Sequence, residues 1–98
     1  MERSLHKSLN QTIHQPVRLQ LMTYLHLAKQ ANFSDLKKEL NITDGNLGSH
    51  LLKLEQEKLI RTRKKFIAKK PATIVNITEK GEKELIAYIE ILRSVIDK

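Results

Sequence analysis

A chain of 98 residues supports one domain around one modest core and is too short for two. Its 18 basic against 11 acidic side chains leave a net charge of +7, which points to a polyanionic partner, either nucleic acid or an anionic membrane surface. Cysteine is absent, which excludes disulfide frameworks and thiolate metal sites, and no apolar run has the length of a signal peptide or bilayer span, so a cytoplasmic location is expected.

Leu5, Leu9 and Ile13 recur every four residues and predict an N-terminal helix over 1–14, ending before Pro16. Pro16 suits the first position of the next helix, where its missing N–H costs nothing. Val17, Leu21, Leu25 and Ala28 form one stripe of that helix, expected over 16–30. In ANFSDLKKEL, Ser34 is the expected N-cap, Asp35 sits at the positive helix end, and Leu36 and Leu40 face inward. Asn41 suits a left-handed turn, and Thr43 can cap a helix beginning at Asp44. Two helices about three residues apart make a helix-turn-helix candidate over 34–58, inside a helical core over 16–58.

Beyond Lys58 the pattern turns β-prone, and LIRTRKKFI with TIVNIT predicts a hairpin over 59–78. The AKKPA between them has no glycine, which predicts a loose basic loop and not a tight two-residue turn. The chain should be helical again from Thr78 or Glu79 to its end, over 79–98. The expected order is helix, helix, helix, helix, strand, basic loop, strand, helix, all in a single domain over 1–98.

The positive charge is concentrated. Residues 61–70 hold six bases and no acid, whereas 79–98 hold five acids and four bases. A basic patch of this kind neutralises phosphates, giving affinity that falls steeply with salt. It lies on β-prone sequence and not on an amphipathic helix, which argues for nucleic acid over a membrane. A lysine-rich edge strand that only deters aggregation is the competing reading.

With Leu47, Leu51 and Leu54 placed inward, the opposite face of the helix from Asp44 carries Gly45, Ser49, Leu52 and Gln56, flanked by Asn46 and Lys53. Near its start this face is small or polar, as a helix entering a major groove requires. Asn46 and Ser49 can bond base edges or phosphates, and Lys53 can meet a phosphate. Gly45 and Gly48 cost helix stability but would let the backbone approach DNA; an undemanding first turn would also tolerate them. Leu52 has no explanation beyond a thymine methyl contact or plain exposure. His6, His14, His26 and His50 fall on separate elements without metal-ligand spacing, and His50 suits packing or a phosphate contact.

In the last helix, Leu85, Ile86, Tyr88, Ile89, Ile91, Leu92, Val95 and Ile96 cover roughly 220° of the wheel, against the ~100° stripe of an ordinary surface helix. Part of this surface should meet the Leu5/Leu9/Ile13 helix and part a second subunit. The expected homodimer interface is Leu5, Leu9, Ile13, Tyr88, Ile91, Leu92, Val95 and Ile96.

These segments resemble the winged-helix transcriptional regulators, in particular the small stand-alone members related to the MarR and ArsR groups. HQPVRLQLMTYL is similar to the opening helix of that family, FSDLKKELNITDGNLGSHLLKLEQEKLI to its helix-turn-helix, KKPATIVNIT to its wing, and TEKGEKEL to the start of its closing helix. The fold class implied is α+β, mainly α: a winged helix-turn-helix with a three-helix core, a β-hairpin wing, and extra N- and C-terminal helices. The resemblance implies a homodimer on a roughly palindromic operator, with Asn46, Ser49, His50 and Lys53 in the major groove and Lys69 and Lys70 on a minor groove or phosphates. The full candidate DNA-contacting set adds Thr43, Arg63, Lys64, Lys65 and Thr73. Two departures from the pattern stand out: Gly48 and Ser49 replace the Ser and Arg of many relatives, and Lys58 stands where relatives often carry Gly.

The function expected is sequence-specific binding of double-stranded DNA by a homodimeric repressor, since no activation or catalytic domain fits beside the helix-turn-helix. A winged-helix module binding RNA or protein is the alternative. Tyr24, Phe33, Phe66 and Tyr88 fall mostly on core positions, which speaks against a base-stacking platform. No Ser/His/Asp set, phosphate-binding glycine loop or metal cluster is present, so neither an enzyme nor a cofactor is expected.

Overall fold

The computed structural model describes residues 8–97 as α1 (Pro16–Ala28), β1 (Gln30–Asn32), α2 (Phe33–Leu40), α3 (Asp44–Gln56), β2 (Ile60–Ile67), β3 (Lys70–Ile77) and α4 (Glu79–Ile96). The three strands form one antiparallel sheet in the order β1-β3-β2. This is the mainly helical winged-helix arrangement expected from the sequence.

Short-range chemistry sets several boundaries where they were expected. Pro16 opens α1, and the Gln15 side chain accepts from the Arg18 N–H at 2.7 Å. Asn41 takes the left-handed conformation (φ 53°, ψ 53°) that ends α2. The hydroxyls of Thr43 and Thr78 cap α3 and α4 by accepting from the N–H groups of Asn46 and Gly81.

Other boundaries differ. The helix expected up to residue 14 is replaced by turns from Leu9 to Gln15, because the Asn10 carboxamide accepts from the N–H groups of Thr12 and Ile13 and so competes with the helical ladder. Leu5 and His6 lie outside the described residues. Helix α1 ends at Ala28, not residue 30: Lys29 turns to φ 72° and the chain enters β1, a strand not anticipated. There Ala31 pairs with Val75 and covers an edge of β3 that would otherwise be open. Asn32, not Ser34, caps α2, accepting from the Asp35 N–H at 2.8 Å.

The wing is tighter than expected. β2 and β3 pair over eight residues each, from Ile60 with Ile77 to Ile67 with Lys70. Only Ala68 and Lys69 remain for the turn, both at positive φ (53° and 66°), as a type I′ hairpin demands. Such a conformation costs an L-residue roughly 1–2 kcal/mol. The matching twist of the turn and the long ladder it closes offset that cost. Counting from the closing pair, Phe66 and Pro71 form a pair that exchanges no hydrogen bonds, so the absent N–H of Pro71 faces away from β2.

The core gathers Leu21, Met22 and Leu25 from α1, Leu36 from α2, and Leu47, Leu51 and Leu54 from α3. Ile13, Leu59, Ile60, Val75, Leu85 and Tyr88 complete it. Gly81 lets α4 dock: a Cβ there would stand 2.1 Å from the Leu59 carbonyl oxygen. That carbonyl accepts from the Thr78 N–H at 3.0 Å, and the Thr78 hydroxyl donates to the Lys58 carbonyl at 2.7 Å. Lys58 itself holds φ 63°, a left-handed shape that glycine would adopt without strain.

Candidate nucleic-acid interface

The outward face of α3 begins with Thr43, Asp44, Gly45 and Asn46, all exposed. Asp44 pairs with Lys37 of α2 at 2.9 Å, tying the two helices across their turn. Ser49 donates to the Asn46 carbonyl at 3.3 Å, and Lys53 is exposed without an acidic partner among the described residues. Neither Gly45 nor Gly48 has positive φ, and a Cβ on either would meet nothing within 4 Å. The monomer therefore has no steric or conformational need for glycine at these positions. Leu52 lies on the same side and is 57% exposed.

His50 is half-buried. The Arg18 guanidinium donates to its Nδ1 at 3.2 Å, and burial first, then the Arg18 charge, holds the imidazole below its ordinary value of 6.5. Arginine has only donors, so Nδ1 carries the lone pair and the proton of the neutral ring sits on Nε2. The other described histidines face elsewhere: His14 bonds the Tyr88 hydroxyl at 2.7 Å, and His26 bonds Glu82.

In the wing, Arg63, Lys64, Lys65, Lys69 and Lys70 are exposed, and none pairs with an acid among the described residues. Side chains alternate along a strand, so they divide between the sheet's faces. Lys64 shares one face with its cross-strand partner Thr73, which is half-buried; Arg63, Lys65 and Lys70 share the other. Lys69 stands at the turn itself.

A positioning contact was not anticipated. The Glu55 carboxylate accepts from the Thr62 N–H at 3.2 Å and from its hydroxyl at 3.0 Å, which fastens α3 to the base of the wing. Glu55 in KLEQEKL resembles any solvated helical acid, and only the register of β2 brings Thr62 to it. Phe66 is a correction: far from being core, it is 74% exposed near the wing tip.

The subunit-interface candidates also separate. Ile13 and Tyr88 are buried in the monomer's own core, and Leu9 and Leu92 pack against it, because α4 lies on α1. Ile91 is half-buried, while Val95 and Ile96 remain exposed. Ile86 and Ile89, not in the expected set, are exposed too.

A profile of the winged helix DNA-binding domain matches residues 17–96. An uncharacterised protein of Methanocaldococcus jannaschii is 41% identical over 78 residues, covering 79% of this chain and 85% of that protein. A transcriptional regulator homologue from Pyrococcus horikoshii superposes with a TM-score of 0.87 at 39% identity, over 97% of this chain and 92% of that one. A variant of S. aureus MepR bound to an oligodeoxyribonucleotide shares the fold, with a TM-score of 0.67 at 22% identity over 96% of this chain and 72% of that one. The chain belongs to the winged helix DNA-binding domain family.

Proposed function

We propose that this protein is a sequence-specific transcriptional regulator of double-stranded DNA, acting as a homodimeric repressor. Helix α3 enters the major groove, and the wing over 61–73 lies on phosphates or a minor groove. The observation that carries this reading is the bare N-terminal half of α3. Two glycines without an intramolecular reason, beside Asn46 and Ser49, leave room for another molecule's surface. Thr43, Asn46, Ser49, His50 and Lys53 read or position, while Arg63, Lys64, Lys65, Lys69, Lys70 and Thr73 supply contacts to the backbone. With so little side chain on α3, the wing contributes most of the affinity and the helix sets register. The exposed Ile86, Ile89, Val95 and Ile96 of α4 support a second copy as partner.

Selection from random duplexes at fixed salt tests the proposal. Enrichment of a two-fold symmetric site is expected. Recovery of no preferred sequence would overturn it in favour of an unspecific binding module.

A further inference from the structure

The wing tip is not only basic. Phe66 is 74% and Ile67 46% exposed, on a segment where β2 and β3 have no third strand beside them. β1 reaches no further than Ile74, so four residues of ladder, ~13 Å, project past it to the turn. An aromatic ring held out in water at the end of an arm has lost its hydrophobic stabilisation unless it meets a partner. What surrounds it narrows the choice: Lys64 shares its face of the sheet and Lys69 stands at the turn, while Ile67, Lys65 and Lys70 lie on the opposite face, and no acid lies between Arg61 and Lys70. The occupant is therefore anionic around its edges and apolar at its centre.

We infer that Phe66 is an apolar wedge that enters the minor groove and partly unstacks one base step while Lys64 on its own face and Lys69 at the turn hold the phosphates on either side. This rests on the proposed DNA reading and adds to it a specificity-determining residue. Duplex DNA has the required layout, with phosphates bordering a groove floor of stacked apolar bases. Unstacking a step is cheapest where the sequence is flexible, as at pyrimidine–purine steps, so the wedge adds a preference that no hydrogen bond reports. The turn suits this use: Ala68 is small and the two-residue loop keeps the tip narrow.

The test uses the full chain and the duplex recovered by selection, carrying 2-aminopurine at successive steps under the wing and a dye at each end. Wild type should raise 2-aminopurine fluorescence at one step and shorten the end-to-end distance. Phe66→Ala should abolish both signals and lower affinity roughly tenfold, with an unchanged salt slope because no charge is lost. Phe66→Leu should retain part of the bend, and circular dichroism of each variant verifies the fold. Lys69→Ala should do the reverse, flattening the salt slope and sparing the unstacked step. Tight binding by Phe66→Ala with the same bend and fluorescence as wild type would overturn the wedge alone. Loss of binding to phosphatidylserine vesicles in Phe66→Ala, with duplex binding intact, would assign the tip to a membrane and overturn it equally. Failure of wild type to bind any duplex would overturn the wedge together with the DNA reading.

Discussion

Arg18 and His50 lock the start of the fold to the helix proposed to read DNA. The Arg18 Nη1 stands 3.2 Å from His50 Nδ1, while its Nε donates to the Thr12 carbonyl at 2.6 Å. One guanidinium thus joins the turn before α1, α1 itself and the middle of α3. The contact needs a neutral imidazole, because a protonated ring would present a donor and a positive charge to another cation.

That requirement gives a pH prediction with a definite sign. The folded value for His50 lies below its ordinary 6.5, so the native state binds fewer protons than the unfolded chain in that window. The contribution to stability is complete above 6.5 and is lost as pH falls through the folded value. Thermal denaturation as pH is lowered from neutral should show this loss, and His50→Gln should flatten it. An imidazole titrating above 6.5 by NMR would contradict the arrangement.

The three glycines should respond oppositely to alanine. Gly45→Ala and Gly48→Ala meet open space and should each stabilise the fold by about 1 kcal/mol in urea denaturation, while weakening duplex binding. Gly81→Ala collides with the Leu59 carbonyl and should destabilise by about 1–3 kcal/mol or more. Stabilised Gly45 and Gly48 variants with undiminished affinity would remove close approach as their explanation.

Lys69→Ala combined with Lys70→Ala should weaken binding to every duplex and reduce the salt slope by about two. Asn46→Ala should instead change which sequences are selected, with a smaller effect on slope. Equal slopes for the wing variant and wild type would displace the wing from the phosphates.

For the second copy, the informative positions are those left exposed on α4. Ile89→Glu with Ile96→Glu should convert dimers to monomers in sedimentation without unfolding the chain, since neither side chain belongs to the core. A Tyr88→Ala substitution should cost about 3–5 kcal/mol of folding stability, because it empties a core site. Persistence of dimers in the double glutamate variant would move the interface elsewhere.

Much of the fold was legible where the physics is local. Pro16, Asn41 and Thr43 act on backbone groups within a few residues, so their roles follow from residue type and spacing. The leucine stripe of α3 likewise identifies its outward face, and with it the candidate contacts on that helix. The division of the α4 apolar arc was not legible, because periodicity reveals that a side chain avoids water and not which neighbour covers it.

Sequence alone determined the helix-turn-helix, the basic hairpin, and the bare start of α3, all governed by short-range propensity, capping and charge. Tertiary structure decided the rest. Pairing with β3 made a strand of Gln30–Asn32, and an eight-residue ladder carried Ala68 and Lys69 into a turn that neither residue favours. The same register placed Thr62 beside Glu55 and held Phe66 out in solvent. Those outcomes depend on long-range pairing, whose free energy is summed over many residues and overrides the preference of any one.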